Sequence, residues 1–144
     1  QADGLARAGN MTGARGAYEA VLKVSPNNAE VLNNYAHVLL ALKDTTGAGK
    51  AAGAALALKP EAPHILGTAG WVAFKSGQSD RGLQLLRDAR LRDPANADTR
   101  YYLAAALAGT GRSVEAREEL KSALASGASF ASAKEAQELL QTLK

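Results

Sequence analysis

Three of the four prolines, Pro26, Pro60 and Pro94, recur with one constant 34-residue spacing. Each of them follows an apolar stretch that ends in polar or basic residues. Proline lacks an amide N–H and its ring clashes with the preceding turn, so it ends a helix. Cations favour a helix C-terminus. The spacing therefore predicts a repeating unit of this length, in which a helix ends just before each proline.

The composition restricts the fold to helices. Of 144 residues, 32 are Ala and 20 are Leu, against six Val and one Ile. Ala and Leu are strong helix formers, whereas strands favour β-branched residues. The chain has no cysteine and no apolar run of the roughly 18 to 20 residues that a membrane helix needs. An all-α fold without disulfides, thiolate metal ligands or a membrane span is expected.

Small residues share the period of the prolines. They fall at two equivalent places in each unit: Ala36, Gly70 and Ala104 at the first, and Ala14, Ala48, Gly82 and Ala116 at the second. Larger apolar residues lie between them at helical spacing. Turn residues separate the two halves at 9–10, 43–44, 77–78 and 111–112. This pattern predicts two antiparallel helices in each unit, in close contact through the small residues.

The period and these phases resemble the tetratricopeptide repeat, and residues 29–36 resemble the opening of its first helix. The resemblance implies an all-α right-handed superhelix of antiparallel helix hairpins. It divides the chain into a truncated repeat at 1–28, repeats at 29–62, 63–96 and 97–130, and a C-terminal capping helix at 131–144.

Three positions depart from the pattern, and one of them is Ala128, which stands where the earlier units have a proline. Ala52 stands where the other units carry the large residues Tyr18, Leu86 and Leu120, so looser packing is expected over 47–58. Arg100 stands where an apolar residue is usual.

Residue 1 falls inside the first helix of a repeat. We expect a fragment of a longer array, with an apolar edge around Leu5, Tyr18 and Val21 exposed and open to homo-association. The last helix instead carries polar residues where a further repeat would pack, which is typical of a cap.

Residues 123–140 resemble the end of bacterial tetratricopeptide lipoproteins encoded with exosortase (PEP-CTERM) sorting and exopolysaccharide systems. This resemblance implies a cell-envelope role, with the parent protein periplasmic or associated with the outer membrane. A cytoplasmic location is the alternative.

The family resemblance places the first helix of each repeat on a concave face. Asparagines there can both donate to and accept from a peptide backbone, and aromatic rings supply rigid contact area. Trp71 has the alternative role of filling the small-residue core. The expected peptide-binding residues are Asn33, Asn34, His37, His64, Thr68, Trp71, Lys75, Tyr101 and Tyr102.

One known mode of the family does not fit. Chaperone-binding members hold an acidic C-terminal tail with Lys, Asn and Arg side chains. The corresponding positions here are Asn33, His37, Thr68, Asp98 and Tyr102, which include an acid and no cation.

No catalytic, metal or cofactor site is predicted. The two histidines, His37 and His64, lack the spacing of a metal pair, and no phosphate-loop motif is present. The net charge is +3, but the basic residues are scattered, so specific nucleic-acid binding is not expected.

The sequence thus indicates a non-catalytic scaffold that binds a protein or peptide ligand, as an extended or helical segment, in the concave groove. Two alternatives remain open: a spacer that only self-assembles, or a regulatory appendage of an upstream catalytic domain such as a glycosyltransferase.

Overall fold

A computed structural model describes residues 2–126 and 129–143, and every regular element in these ranges is an α-helix. None of these helices is long and apolar enough to cross a membrane. In chain order they are α1 (Ala2–Arg7), α2 (Met11–Val24), α3 (Ala29–Ala41), α4 (Thr45–Leu58), α5 (Pro63–Lys75), α6 (Ser79–Arg92), α7 (Ala97–Gly109), α8 (Ser113–Ala125) and α9 (Ala133–Thr142).

The helices pack as consecutive pairs that stack in sequence order. The strongest contacts are α3 with α4, α5 with α6, and α7 with α8. Each pair meets the next along the chain, and α5 also touches both α3 and α7. This is the predicted superhelix of helix hairpins. Its core is a thin apolar layer between helices, in which most of the buried residues are Ala and Leu.

Side-chain caps start four of the helices. Asn10, Asn28, Asp44 and Asn96 each accept a hydrogen bond from the backbone N–H three residues on, at 2.9 to 3.1 Å. Such a cap satisfies an amide that the first helical turn leaves unpaired. Helix α5 has no such cap and starts with Pro63. The N–H that proline lacks would have no partner within the helix at this position, so its absence does not destabilise the helix.

The turn inside each pair uses one residue with positive φ. These residues are Gly9, Lys43, Gly77 and Gly111, with φ of 84°, 68°, 90° and 82°. All four lie in the turns that the sequence predicts. Three are glycine, which adopts this conformation without strain, and Lys43 is the exception.

The contact between α5 and α6 has no room for side chains at its centre. A Cβ atom on Gly82 would lie 2.9 Å from both the carbonyl oxygen of Gly70 and the amide nitrogen of Phe74. A Cβ on Gly70 would lie 2.8 Å from Cγ of Leu86. The two helices therefore meet backbone to backbone.

Arg100 is accommodated by an ion pair rather than by apolar packing. Its Nη1 lies 2.8 Å from Glu119 of α8, and its Nε donates to the carbonyl oxygen of Pro94 at 2.9 Å. Glu119 also lies 3.4 Å from Nη1 of Arg90 in α6. One carboxylate thus joins three helices, because the long arginine stem carries the charge out of the apolar layer.

Ala52 is itself buried, and a groove of about 480 Å³ lies beside it. The groove lies between α4 and α6, over one face of α5, and we call it the outer groove. At the equivalent positions Tyr18, Leu86 and Leu120 are all buried large side chains. The expected looseness over 47–58 therefore takes the form of an open groove and not of an unpacked helix.

The expectation of an exposed apolar edge is wrong for Tyr18. Its side chain is 4% exposed, its hydroxyl donates to Asp3 of α1, and its ring lies 6.3 Å from that of Tyr35. Leu5 is half-buried, and only Val21, at 42% exposure, is open. The short helix α1 covers this part of the edge because Asp3 provides a partner for the tyrosine hydroxyl.

The last helix begins two residues later than the sequence suggests. Asp98 accepts a hydrogen bond from the N–H of Ser132 at 2.8 Å, and Arg117 donates to the carbonyl oxygen of Leu143 at 2.9 Å. These bonds hold α9 against α7 and α8. Its polar residues Lys134, Gln137, Glu138 and Gln141 are exposed, as a cap requires.

We predict that Lys43→Gly stabilises the protein. A positive φ at a non-glycine residue destabilises the folded state by about 1 kcal/mol or more, and glycine removes most of this strain. The expected gain in the free energy of unfolding is about 0.5–1 kcal/mol, measured by urea titration. Gly77→Ala is the matched control. No atom lies within 4 Å of its added Cβ, so its expected loss of about 1 kcal/mol arises from the backbone alone. Equal effects of the two substitutions would contradict this account.

Candidate functional site

An open groove of about 450 Å³ is bordered by three first helices of the pairs, α1, α3 and α7, and we call it the inner groove. Asn34, His37 and Val38 of α3 form one part of its wall, and Tyr102 of α7 forms another. The remaining wall comes from α1 and α2 and from Ala131, which precedes α9. Most of the lining is apolar.

Four aromatic side chains of α5 and α7 form a cluster that meets this groove at Tyr102, the one member of the four that lines it. The rings of Trp71 and Tyr102 are stacked, with centroids 4.6 Å apart and planes 20° apart. Phe74 and Tyr101 lie 5.9 and 5.8 Å from the Trp71 ring. Lys75 places its ammonium 5.1 Å from the same ring centroid. All four aromatic rings are half-buried, so the cluster is both packed and accessible.

The hydrogen bonds of Thr68 fix the tautomer of His37. The Thr68 hydroxyl donates its only proton to the carbonyl oxygen of His64 at 3.0 Å. Its oxygen lies 2.9 Å from Nε2 of His37, so it accepts there and Nε2 carries the proton. Nδ1 of His37 is then a hydrogen-bond acceptor. Among the described residues, no group donates to it.

Burial determines the charge state at this site. Burial lowers the pKa of His37, and the nearby Asp98 carboxylate only partly opposes that shift, so the imidazole is neutral at pH 7. Burial, reinforced by Asp98, raises the pKa of Tyr102 to about 12. The groove therefore offers neutral hydrogen-bonding groups beside a stacked aromatic surface.

Two of the expected peptide-binding residues do not reach the surface. Asn33 is 6% and Thr68 is 3% exposed, and Thr68 lies against His37 of the neighbouring first helix, α3. Thr68 orients His37 instead. The Oδ1 atom of Asn33 is buried without a hydrogen-bond partner among the described residues. Of the two asparagines, only Asn34 borders the groove.

His64 lies away from the groove wall, in an exposed ion pair. Its Nε2 is 2.8 and 2.9 Å from the carboxylate oxygens of Glu30, which Lys59 also approaches at 3.5 Å. Partial burial raises the pKa of Glu30, but the bonds from His64 and Lys59 outweigh it and the net direction is down. This pair links α3 to α5.

Sequence reasoning missed the contribution of the first two helices. Asp3, Ala6 and Arg7 of α1, and Met11 and Tyr18 of α2, also line the inner groove. The sequence indicates only a truncated repeat over 1–28, and nothing in its composition distinguishes groove residues from edge residues. Within the described ranges, no group of three or more His, Asp or Glu side chains is arranged to hold a metal ion.

The stacked helix pairs and the groove across their first helices define the class of a helical-repeat solenoid. Two family models, both described as tetratricopeptide repeat, match residues 1–63 and 73–140. The chain therefore belongs to the tetratricopeptide repeat family. A search of curated protein sequences gave no significant match.

Solved structures support the same fold. A tetratricopeptide repeat protein of Thermus thermophilus, TTC0263, superposes with a TM-score of 0.84 at 22% identity, over 99% of this chain and 77% of that one. MamA from Desulfovibrio magneticus RS-1 gives 0.69 at 23% identity, over 85% and 70%. An O-GlcNAc transferase mutant of Thermobaculum terrenum gives 0.74 at 24% identity, over 83% of this chain but 24% of that one.

We predict that His37 makes stability depend on pH. Its pKa in the folded protein lies below the ordinary value of 6.5, so the unfolded chain takes up the proton first as pH falls. Stability is then fully present above about pH 6.5 and decreases below it. Urea titrations at pH 7.5 and pH 5 should show a larger loss for the wild type than for His37→Gln, which does not titrate but still donates to Thr68. An equal loss in both proteins would contradict the assignment.

Proposed function

We propose that this chain is a non-catalytic protein-interaction module that holds a segment of a partner protein along the inner groove. The stacked pair of Trp71 and Tyr102 beside the groove carries this proposal. Large aromatic rings fixed in place contribute much of the affinity at protein interfaces, because little side-chain entropy remains to be lost on binding.

The polar groups suit a peptide backbone. Nδ1 of His37 is able to accept a hydrogen bond, and no group among the described residues donates one to it. The amide of Asn34 both donates and accepts, and it borders the same groove. A backbone presents N–H and C=O groups alternately, so these two side chains can bind it whatever its sequence. Specificity then comes from apolar side chains that pack on the aromatic cluster.

Two acids at or near the groove already accept hydrogen bonds within the protein. Tyr18 donates to Asp3, which lines the groove, and the amide of Ser132 donates to Asp98, whose charge acts on His37 and Tyr102. These neutral donors leave the carboxylates charged but occupy part of their capacity to accept hydrogen bonds. We accordingly propose a ligand segment whose contacts are apolar and backbone-mediated and not dominated by basic side chains.

Peptide selection tests this proposal. Peptides are selected from a phage-displayed random library on the immobilised protein, and their affinities are measured by fluorescence anisotropy. Trp71→Ala is expected to raise the dissociation constants of the selected peptides at least about tenfold, which corresponds to a loss of about 1.4 kcal/mol of binding free energy. Asn34→Ala is expected to raise them less, because a surface hydrogen bond contributes about 1 kcal/mol.

Two controls make the result interpretable. Trp71→Phe keeps an aromatic ring and is expected to retain most of the affinity. Val114→Ala removes an apolar side chain that is 67% exposed on α8, and should leave the affinity unchanged. Circular dichroism confirms that each variant is folded. The proposal fails if folded Trp71→Ala binds the selected peptides as tightly as the wild type.

A regulatory appendage of a catalytic domain is the second candidate. It is favoured by the likeness to the O-GlcNAc transferase, of which this chain corresponds to 24% of the length. In that case the same inner-groove variants would alter the activity of the full protein.

Two narrower hypotheses from the sequence can be tested separately. A signal peptide followed by a lipobox cysteine in the full-length gene would support the cell-envelope role linked to exopolysaccharide export or protein sorting. Homo-association at the N-terminal edge around Val21 would appear as concentration-dependent dimerisation in sedimentation experiments.

A further inference from the structure

The outer groove has the composition of a second docking surface. Its floor is apolar and comes from α5 and α6, including Ala69, Val72 and Leu85, which the packing of the helices already buries. Its α4 wall is built largely from small residues, and a Cβ added to Gly49 or Gly53 would meet no atom within 4 Å. No packing within the described chain requires these two glycines to be small.

The charge of this groove is of one sign. Lys50 of α4 and Arg81 of α6 line it, and none of its lining residues is acidic. Both cations are exposed. Within the described ranges neither forms an ion pair, whereas most arginines of α6, α7 and α8 have an acidic or carbonyl partner. Two unpaired cations over an apolar floor are complementary to a segment that carries both carboxylate and apolar side chains.

The shape of the groove favours a helix as the occupant. The α4 lining extends from Thr45 to Leu56, or about 16 Å at the helical rise of about 1.5 Å per residue. Lining positions recur along one face of α4, so their side chains form ridges and grooves into which another helix can pack. Small residues permit close approach of that helix, as Gly70 and Gly82 do between α5 and α6.

We propose that the outer groove binds an acidic amphipathic helix of about three turns from a partner protein. Its apolar side chains would lie above the buried floor and against the open helix face at Gly49 and Gly53. Its carboxylates would pair with Lys50 and Arg81. The inner groove shares no lining residue with the outer groove, and the aromatic cluster beside it uses a different face of α5, which presents Trp71 and Lys75. One chain could therefore hold two segments of different chemistry at once.

The probe is a fluorescein-labelled synthetic helix with leucines on one face and glutamates beside them. Its length is about 14 residues, enough for the proposed three turns and a frayed end. Binding is measured by anisotropy. Gly53→Leu fills the groove and is expected to weaken binding at least tenfold, while Gly16→Leu is expected to leave it unchanged. Gly16 is the matched control because it also lies in a second helix of a pair with open space around its Cβ.

Charge reversal tests the polarity of the site. The double variant Lys50→Glu, Arg81→Glu is expected to bind the acidic peptide at least tenfold more weakly than the wild type does. It is also expected to bind a peptide in which lysines replace the glutamates. Lys23→Glu, an exposed cation of α2 outside the groove, should change little.

Several results would overturn the proposal. One is the absence of binding to the wild type, and another is equal binding to Gly53→Leu. Equal binding of a leucine-free polyglutamate would show that charge alone is recognised, as for any polyanion. A wild-type dimer that Gly53→Leu abolishes would identify the occupant as a second copy of the chain.

Discussion

The close approach of α5 and α6 at Gly70 and Gly82 is the contact on which the rest of the structure depends. A Cβ on Gly82 would lie 2.9 Å from backbone atoms of the facing helix, so the distance between the two helices is determined by backbone and not by side chains. Backbone is less adaptable than a side chain, and the pair is correspondingly rigid. The same places in the neighbouring pairs hold alanines that are completely buried, Ala36, Ala48, Ala104 and Ala116. Close contact through small residues therefore recurs with the period of the sequence in each of these pairs, and it is tightest between α5 and α6, where both residues are glycine.

Both sites use faces of α5 that the contact with α6 leaves free. One face presents Trp71 to Tyr102 of α7, and another presents Val72 to the gap between α4 and α6. The aromatic cluster is formed by residues from adjacent repeats, so it exists only when the repeats stack in register. The outer groove is lined instead by Ala52, at the position where the following pairs carry Leu86 and Leu120. One site therefore joins residues of adjacent repeats, and the other borders a departure from the repeat pattern.

The sequence predicts the architecture well because the architecture depends on spacing. The sequence directly shows the proline period, the positions of the small residues and the turns at Gly9, Lys43, Gly77 and Gly111. The helices begin and end in agreement with these signals. The site is predicted less completely. Repeat positions identify which helix face a residue occupies, but not whether neighbouring residues cover it. For this reason the sequence places Asn33 and Thr68 in the groove, whereas the structure shows both to be buried. The orientation of His37 depends on how Thr68 uses its single proton, and the position of Asp3 beside Tyr18 depends on how α1 packs. Neither relation has a periodic signal.

Gly82→Ala tests the central claim most directly. The chain contains a single tryptophan, so the emission of Trp71 reports on the aromatic cluster without interference. The added methyl group must push α5 and α6 apart, and overpacking of this kind costs about 1–3 kcal/mol. The account predicts that Gly82→Ala lowers the free energy of unfolding by about 2 kcal/mol and shifts the Trp71 emission of the folded protein. Gly16→Ala, on an open helix face, should instead stabilise by up to about 1 kcal/mol with no spectral change. If Gly82→Ala behaved like Gly16→Ala in both measurements, the backbone contact would not determine the structure and the account would be wrong.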